Sequence, residues 1–136
     1  MDRIDVVFKS VLAATGAIFG YLFGGWTILL QILLTAVIID YVSGMIASGV
    51  AGELSSKIGF KGIAKKVMIF LLVAVGNLID KAMGEGSAVQ TAIIFFYLGN
   101  EILSILENAG KIGLPIPQKL QDAVAILKGK GDEKYE

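Results

Sequence analysis

Three long blocks of the chain carry no charged residue, and they define the pattern from which its elements are predicted. They cover residues 10–39, 67–79 and 86–100. Runs of roughly 18 or more mostly apolar residues are typical of helices that cross a membrane. The first block, as one helix rising 1.5 Å per residue, would be about 45 Å long and would exceed a hydrocarbon core of about 30 Å. A break at Gly24-Gly25 resolves this excess, because glycines end helices readily. The sequence therefore predicts an all-α integral membrane protein with four transmembrane helices, at about 4–23, 26–48, 64–83 and 88–107.

The first predicted helix has an apolar stripe on one side and small residues on the other. Gly16, Gly20 and Gly24 recur every four residues, a spacing that lets two membrane helices approach closely. We therefore predict helix packing at these three glycines. The alternative is an interfacial N-terminal helix followed by three spanning helices, although interfacial helices usually carry charges on their polar face.

Basic residues between the second and third predicted helices indicate the topology. Segment 50–66 contains four lysines and one acid, Glu53. The lysines of this predicted loop are Lys57, Lys61, Lys65 and Lys66. An excess of lysine and arginine marks cytoplasmic loops. The segment is therefore predicted to be a cytoplasmic basic loop, and with four spans the N-terminus and the C-terminus are cytoplasmic too.

Residues 111–136 are predicted to form a cytoplasmic tail behind a transmembrane helical domain of residues 1–110. Pro115 and Pro117 of "LPIP" prevent a helix from running straight through this point. The stretch "QKLQDAVAILKGKG" that follows predicts a short amphipathic helix, which suits a position on the membrane surface. Its apolar side is formed by Leu120, Val124 and Leu127.

Polar residues at membrane depth are the candidate functional residues, because charges in hydrocarbon are costly and usually face protein or water. Asp40 shares a helix face with small residues such as Gly44. It either reaches water or Lys57 at the cytoplasmic end, or it lies at a helix interface or pore lining. A second polar stripe follows one face of the fourth helix, and it fits either a hydrogen-bonded bundle core or a seam between subunits. The predicted pore or oligomer interface consists of Asp40, Gly44, Tyr97, Asn100, Glu101, Ser104 and Asn108.

Composition narrows the function further. The chain has 136 residues, of which 55% are hydrophobic and 18% charged, and its mean hydropathy is +0.75. It contains no cysteine and no histidine, which excludes disulfides, thiolate or imidazole metal ligands and Ser-His or Cys-His catalysis. Its net charge is zero, so nothing indicates binding to nucleic acid. We predict a protein that is not an enzyme and needs no metal or cofactor.

Three stretches of the chain carry a resemblance to a known family. They are "LLQILLTAVIIDYVSGMIASG", "GELSSKIGFKGIAKKV" and "IFFYLGNEILSILENAGKIGLPIP". Together with the short basic tail, they resemble the phage lysis holins of the toxin-secretion/phage-lysis family. That family includes holins of many Gram-positive phages and holin-like proteins encoded beside clostridial toxin genes. The resemblance covers about residues 3–128.

The resemblance implies a function in the bacterial cytoplasmic membrane. Such proteins accumulate there, then form homo-oligomers abruptly and open lesions that release an endolysin, or a toxin, without a signal peptide. The implied partners are other copies of the chain and membrane lipids, and the endolysin or toxin need not touch the chain. The family implies no catalytic residue. Two other functions stay open at this point, a small four-helix multidrug-type transporter and an antiholin or other regulatory membrane subunit.

Overall fold

A computed structural model describes residues 2–84 and 86–133 of the chain, with side chains described as far as Leu127. The described residues form five α-helices and no strand. They are α1 Arg3–Phe23, α2 Ile28–Ala51, α3 Ser56–Met83, α4 Ala88–Ile112 and α5 Gln118–Glu133. The first four are long and apolar enough to cross a membrane. The predicted all-α fold with four such helices is confirmed, and residues 134–136 of the predicted tail lie outside the described residues.

The break between the first two helices is confirmed at the predicted glycines. Gly24 ends α1 with φ 76°, and Gly25 follows with φ 125°. Both values favour glycine because it has no Cβ. Thr27 then caps α2, its hydroxyl accepting a hydrogen bond from the Leu30 amide at 3.2 Å. The chain thus reverses within a few residues and continues as a second long helix.

The predicted loop at 50–66 is wrong in extent, because α3 begins at Ser56 rather than near residue 64. Gly52 ends α2 in a left-handed conformation, and Ser55 caps α3. All four lysines of the predicted loop therefore lie on the first turns of a helix: Lys57, Lys61, Lys65 and Lys66. The first three recur every four residues, so a helix places them along one exposed face. The excess of lysines predicted a loop, whereas their spacing of four residues is compatible with a helix.

Helix α4 is the centre of the bundle. Helices α2, α3 and α5 all pack against it, whereas α2 and α3 touch each other only slightly. It runs on to Ile112, through the predicted domain boundary at 110/111, and ends at Gly113. The core between α2, α3 and α4 comprises Leu30, Leu33, Ala36, Val37, Ile69, Val73, Ile93, Ile94 and Leu98. The outer faces of α2 and α3 remain apolar and exposed, as in Ile38 and Leu71, which suits contact with lipid.

The contacts of α1 with the other described helices lie near its C-terminal end, at residues 19–23, and none of its residues is buried. Phe23 meets Phe70 of α3 with ring centroids 6.5 Å apart. Of the three glycines with predicted helix packing, Gly24 lies against Asn77, whereas a Cβ at Gly16 or Gly20 would meet nothing within 4 Å. Among the described residues, Gly24 therefore packs against α3, whereas Gly16 and Gly20 face open space.

Candidate functional site

Three ionisable side chains meet between α2, α3 and α4, and we call Asp40, Lys66 and Glu101 the ion triad. The Lys66 Nζ lies 2.6 Å from Asp40 Oδ2 and 3.0 Å from Glu101 Oε2. The exposed fractions of the side chains are 17% for Lys66, 9% for Asp40 and 7% for Glu101. Buried charges are tolerated when they are paired and hydrogen-bonded. One lysine thus holds all three helices together.

Asp40 lies near the middle of α2 and Glu101 near the middle of α4. Asp40 therefore does not depend on the helix end for a partner. The sequence offered Lys57 as its nearest cation, but the partner in the structure is Lys66. Lys66 points inward between the other two helices, whereas its neighbour Lys65 is exposed.

Asn108 completes the polar centre from α4. Its Nδ2 donates to Asp40 Oδ1 at 3.1 Å, to the Asp40 carbonyl at 3.3 Å and to Ser43 Oγ at 2.9 Å. Gly44 lies beside this amide, since a Cβ at this position would be 3.5 Å from Asn108 Nδ2, an ordinary contact distance. The small face of α2 predicted around Asp40 therefore does approach another helix closely. Among the described residues, no buried side-chain nitrogen or oxygen lacks a hydrogen-bond partner.

The remaining stripe residues lie around the triad with different exposures. Tyr97, Asn100 and Ser104 are half-buried and line a groove of about 740 Å³ between α3 and α4. A second groove, of about 180 Å³, lies on the α2 and α3 side. Asp40, Lys66 and Ser104 line both grooves. The triad is therefore buried within one copy but is flanked by open space on two sides.

A second polar cluster, where α3 ends and α4 begins, was not predicted as a site. Asp80 of α3 accepts hydrogen bonds from the amides of Val89 and Gln90 at 3.0 and 2.9 Å. These are amides of the first turn of α4, which has no intrahelical partner for them. Ser87, at the local capping position, makes no side-chain cap. Asp80, which belongs to the neighbouring helix α3, thus caps the first turn of α4.

The same cluster holds the end of α1. Asn77 donates to the carbonyls of Tyr21 and Leu22 at 3.1 and 2.9 Å. Gln90 donates to the Phe23 carbonyl at 2.8 Å, and Lys81 donates to the Tyr21 carbonyl at 2.8 Å. The last carbonyls of a helix lack intrahelical donors, so these side chains satisfy them. The predicted helix at 64–83 places Asn77 and Lys81 near its end, but the sequence does not show which carbonyls they bind.

The chemistry available at these sites is ion pairing and hydrogen bonding between helices. In the part of the chain that the structure describes, no three acidic side chains are grouped so as to hold a metal ion. The triad can hold α2, α3 and α4 together, or it can face water when these helices separate.

Comparison with known proteins agrees with the sequence resemblance. The model of the bacteriophage holin family matches residues 17–129. An uncharacterised protein of Listeria monocytogenes is 46% identical over 98% of this chain and 95% of its own length. A 14.9 kDa protein in the nagH 3′ region of Clostridium perfringens is 37% identical over 96% of this chain and 99% of its own length.

A relative from a phage points in the same direction. A probable holin of Bacillus phage phi105 is 36% identical over 85% of this chain and 85% of its own length. No solved structure matches the chain. The resemblance to phage holins is thereby confirmed for most of the sequence, and the protein is a multi-pass membrane protein with four candidate spans. This chain belongs to the bacteriophage holin family.

Proposed function

We propose that the protein is a holin that forms homo-oligomers in the bacterial cytoplasmic membrane and opens lesions there without catalysing a reaction. The lesions release an endolysin, or a toxin, that has no export signal of its own. The main support for this proposal is that the chain belongs to the holin family. The ion triad supports it, because a charged centre enclosed by lipid-compatible helices is suited to change between a closed and a wet state.

In the closed state each copy shields its own charges. Asp40 and Glu101 face Lys66 across three helices, so the three charges are paired within the copy, and the outer faces of α2 and α3 that meet lipid are apolar. On opening, α2, α3 and α4 separate and the polar stripe of α4 turns towards water. Ionised groups are costly in hydrocarbon, so this exposure requires several copies that enclose water together. The predicted interface residues then line the lesion or its subunit seams.

The membrane potential is expected to influence this opening. A charge that moves across the field gains or loses about 2.3 kcal/mol per 100 mV. We expect depolarisation to advance opening if opening moves the triad charges along the field.

The orientation that fits this role places both termini in the cytoplasm. Lys57, Lys61 and Lys65 are exposed on the first turns of α3, so three lysines still oppose Glu53 after Lys66 is excluded as buried. A cytoplasmic excess of basic residues determines orientation. The link between α2 and α3 is then cytoplasmic, and an even number of spans returns the C-terminal segment to the same side.

Controlled expression in a bacterium tests the proposal. With a cytoplasmic endolysin supplied, we expect growth to continue and then stop abruptly, with loss of turbidity and release of the endolysin. A chain that only delays lysis by another holin would be an antiholin, and one that alters drug tolerance without killing would be a transporter. Either result would contradict lesion formation by this chain.

Glu101→Leu tests the role of the polar stripe in the same assay. Glu101 is buried in the triad, whereas Glu107 of the same helix is exposed, so Glu107→Leu is the matched control. We expect Glu101→Leu to change the time of lysis or the size of molecules that leak, and Glu107→Leu to change neither. Unchanged timing and size in Glu101→Leu would remove Glu101 from the mechanism.

A further inference from the structure

The groove of about 740 Å³ between α3 and α4 opens away from the other helices, and we call it the α3–α4 groove. Its lining comes from α3 and α4, with Asp40 added from α2, and no described residue of α1 or α5 contributes to it. Helix α1 contacts α3 at Phe70 and Asn77 instead. At about 100° per residue, these two lie on the side of α3 opposite Lys61. In a membrane, the α3–α4 groove therefore opens towards lipid.

The α3 wall of this groove changes from basic to apolar along the helix. Lys61 and Lys65 line one end, and Met68 and Leu72 continue the same exposed face. Residues 67–79 carry no charge, so Lys65 lies at the border of the stretch that suits hydrocarbon. Lysines at such a border extend their ammonium groups to the headgroup level. The wall thus matches the polarity of a phospholipid, with a charged end beside the headgroup and an apolar end beside an acyl chain.

The two lysines at the basic end are available to an anion. Asp40 and Glu101 also line the groove, but both are paired with Lys66. Among the described residues, Lys61 and Lys65 form no ion pair. Three lysines against two carboxylates leave the lining with one net positive charge. A phospholipid with one negative charge is therefore the occupant that complements the groove in charge as well as in polarity.

We propose that the α3–α4 groove binds one anionic phospholipid of the cytoplasmic leaflet, with its phosphate at Lys61 and Lys65 and an acyl chain along Met68 and Leu72. Basic pockets between membrane helices bind anionic headgroups in other membrane proteins. The choice of leaflet rests on the orientation proposed above, whereas the binding itself requires only that the chain spans a membrane. A lipid held in this position covers the side of the ion triad that faces the groove.

Tryptophan quenching by brominated lipids locates the bound lipid. In a Trp26→Phe background, which removes the natural tryptophan, Met68→Trp places the fluorophore in the groove and Ile38→Trp places it on the outer face of α2. Both positions contact lipid, since Met68 is 52% and Ile38 53% exposed. The vesicles contain phosphatidylcholine and phosphatidylglycerol, and one or the other carries bromine on its acyl chains. We expect phosphatidylglycerol to be preferred about ten-fold at Met68→Trp and not at Ile38→Trp. Equal preference at the two positions would overturn the proposed site.

Removing the lysines tests the recognition of charge. In the Met68→Trp protein, Lys61→Gln with Lys65→Gln should abolish most of the preference for phosphatidylglycerol. Lys57→Gln with Lys111→Gln is the matched control, because both lysines are exposed and neither lines the groove. We expect the control to change the preference by about two-fold at most, since phosphate attraction is local.

Equal losses in the two double variants would overturn the proposal, because the attraction would then belong to the whole basic surface. Circular dichroism verifies that both variants remain helical. Leakage of vesicle contents is measured in parallel and tests the lesion function separately. Preference for phosphatidylglycerol at Met68→Trp without leakage would support the lipid site and contradict the lesion function.

Discussion

Replacing Lys66 by methionine removes the ammonium that Asp40 and Glu101 share. Methionine keeps a similar length and an apolar stem, so the change is mainly one of charge. The Lys66 Nζ lies 2.6 and 3.0 Å from the two carboxylates, which remain buried between α2 and α4 after the substitution. We expect Lys66→Met to destabilise the bundle strongly.

The size of the effect follows from the geometry. With an effective dielectric constant of about 20, unit charges at these distances attract by about 6 kcal/mol each. The loss of solvation of all three groups and the repulsion between the carboxylates offset most of this attraction. Removing one partner from a buried ion pair costs about 3–5 kcal/mol in measured cases. Because Lys66 keeps 17% of its side-chain exposure, we expect the lower end, about 3 kcal/mol, or roughly a hundredfold in the unfolding equilibrium.

Unfolding in detergent micelles, followed by circular dichroism, measures this difference. Lys65→Met is the matched control, because Lys65 is the adjacent lysine and is exposed; surface changes of this kind stay within about 0.5 kcal/mol. The triple variant Asp40→Asn, Lys66→Met and Glu101→Gln should recover most of the stability, since no charge is left unpaired. Equal stabilities for Lys66→Met and Lys65→Met would refute the triad as the link between the helices.

Four further changes probe the rest of the bundle, three by the same unfolding measurement and one by hydrogen exchange. Asp80→Ala removes the cap on the first turn of α4 and should lower the free energy of unfolding by about 2 kcal/mol. Glu53→Ala is the control, because Glu53 is exposed, and it should lower this free energy by less than about 0.5 kcal/mol. Gly76→Ala would place a Cβ 3.0 Å from backbone of α4 and should cost about 1–3 kcal/mol. Gly110→Ala has open space at its Cβ and should instead raise the free energy of unfolding by about 0.5–1 kcal/mol. If Gly76→Ala were the more stable of the two variants, the close approach of α3 to α4 at Gly76 would be contradicted. Asn77→Ala removes two hydrogen bonds to carbonyls of α1 and should speed hydrogen exchange in α1 while leaving exchange in α2 unchanged.

Sequence patterns within single helices were sufficient to predict much of the fold and part of the candidate site. The glycine pair at 24–25 ends a helix in the structure, as predicted because residues 10–39 are too long for a single membrane-spanning helix. The spacing of Glu101 and Asn108 placed both on one face of α4, and both are buried there. Each of these inferences depends on residues within one helix, where the period of 3.6 residues fixes which side chains share a face.

The partner of Asp40 could not be predicted in the same way. Lys65 and Lys66 are adjacent and chemically identical, and their directions differ by about 100° on a helix. Which of them points inward depends on how α3 is rotated against α2 and α4. The core packing of residues such as Val73 determines that rotation, and the rotation cannot be predicted from the sequence of α3 alone. The cap that Asp80 provides for α4 was missed for the same reason, because the acceptor and the amides belong to different helices.

The enclosed triad has a consequence for how a holin would wait before acting. A lone copy satisfies its buried charges internally, so it gains nothing by opening, and lipid penalises the exposed carboxylates if it does. The penalty disappears only where other copies supply polar faces and enclose water. On the proposed function, the open state would therefore belong to a group of copies. The number of open assemblies would rise with a power of the surface density, whereas the number of closed copies would rise in proportion to the density. A chain that hides its charges within itself can accumulate for a long time and still open abruptly.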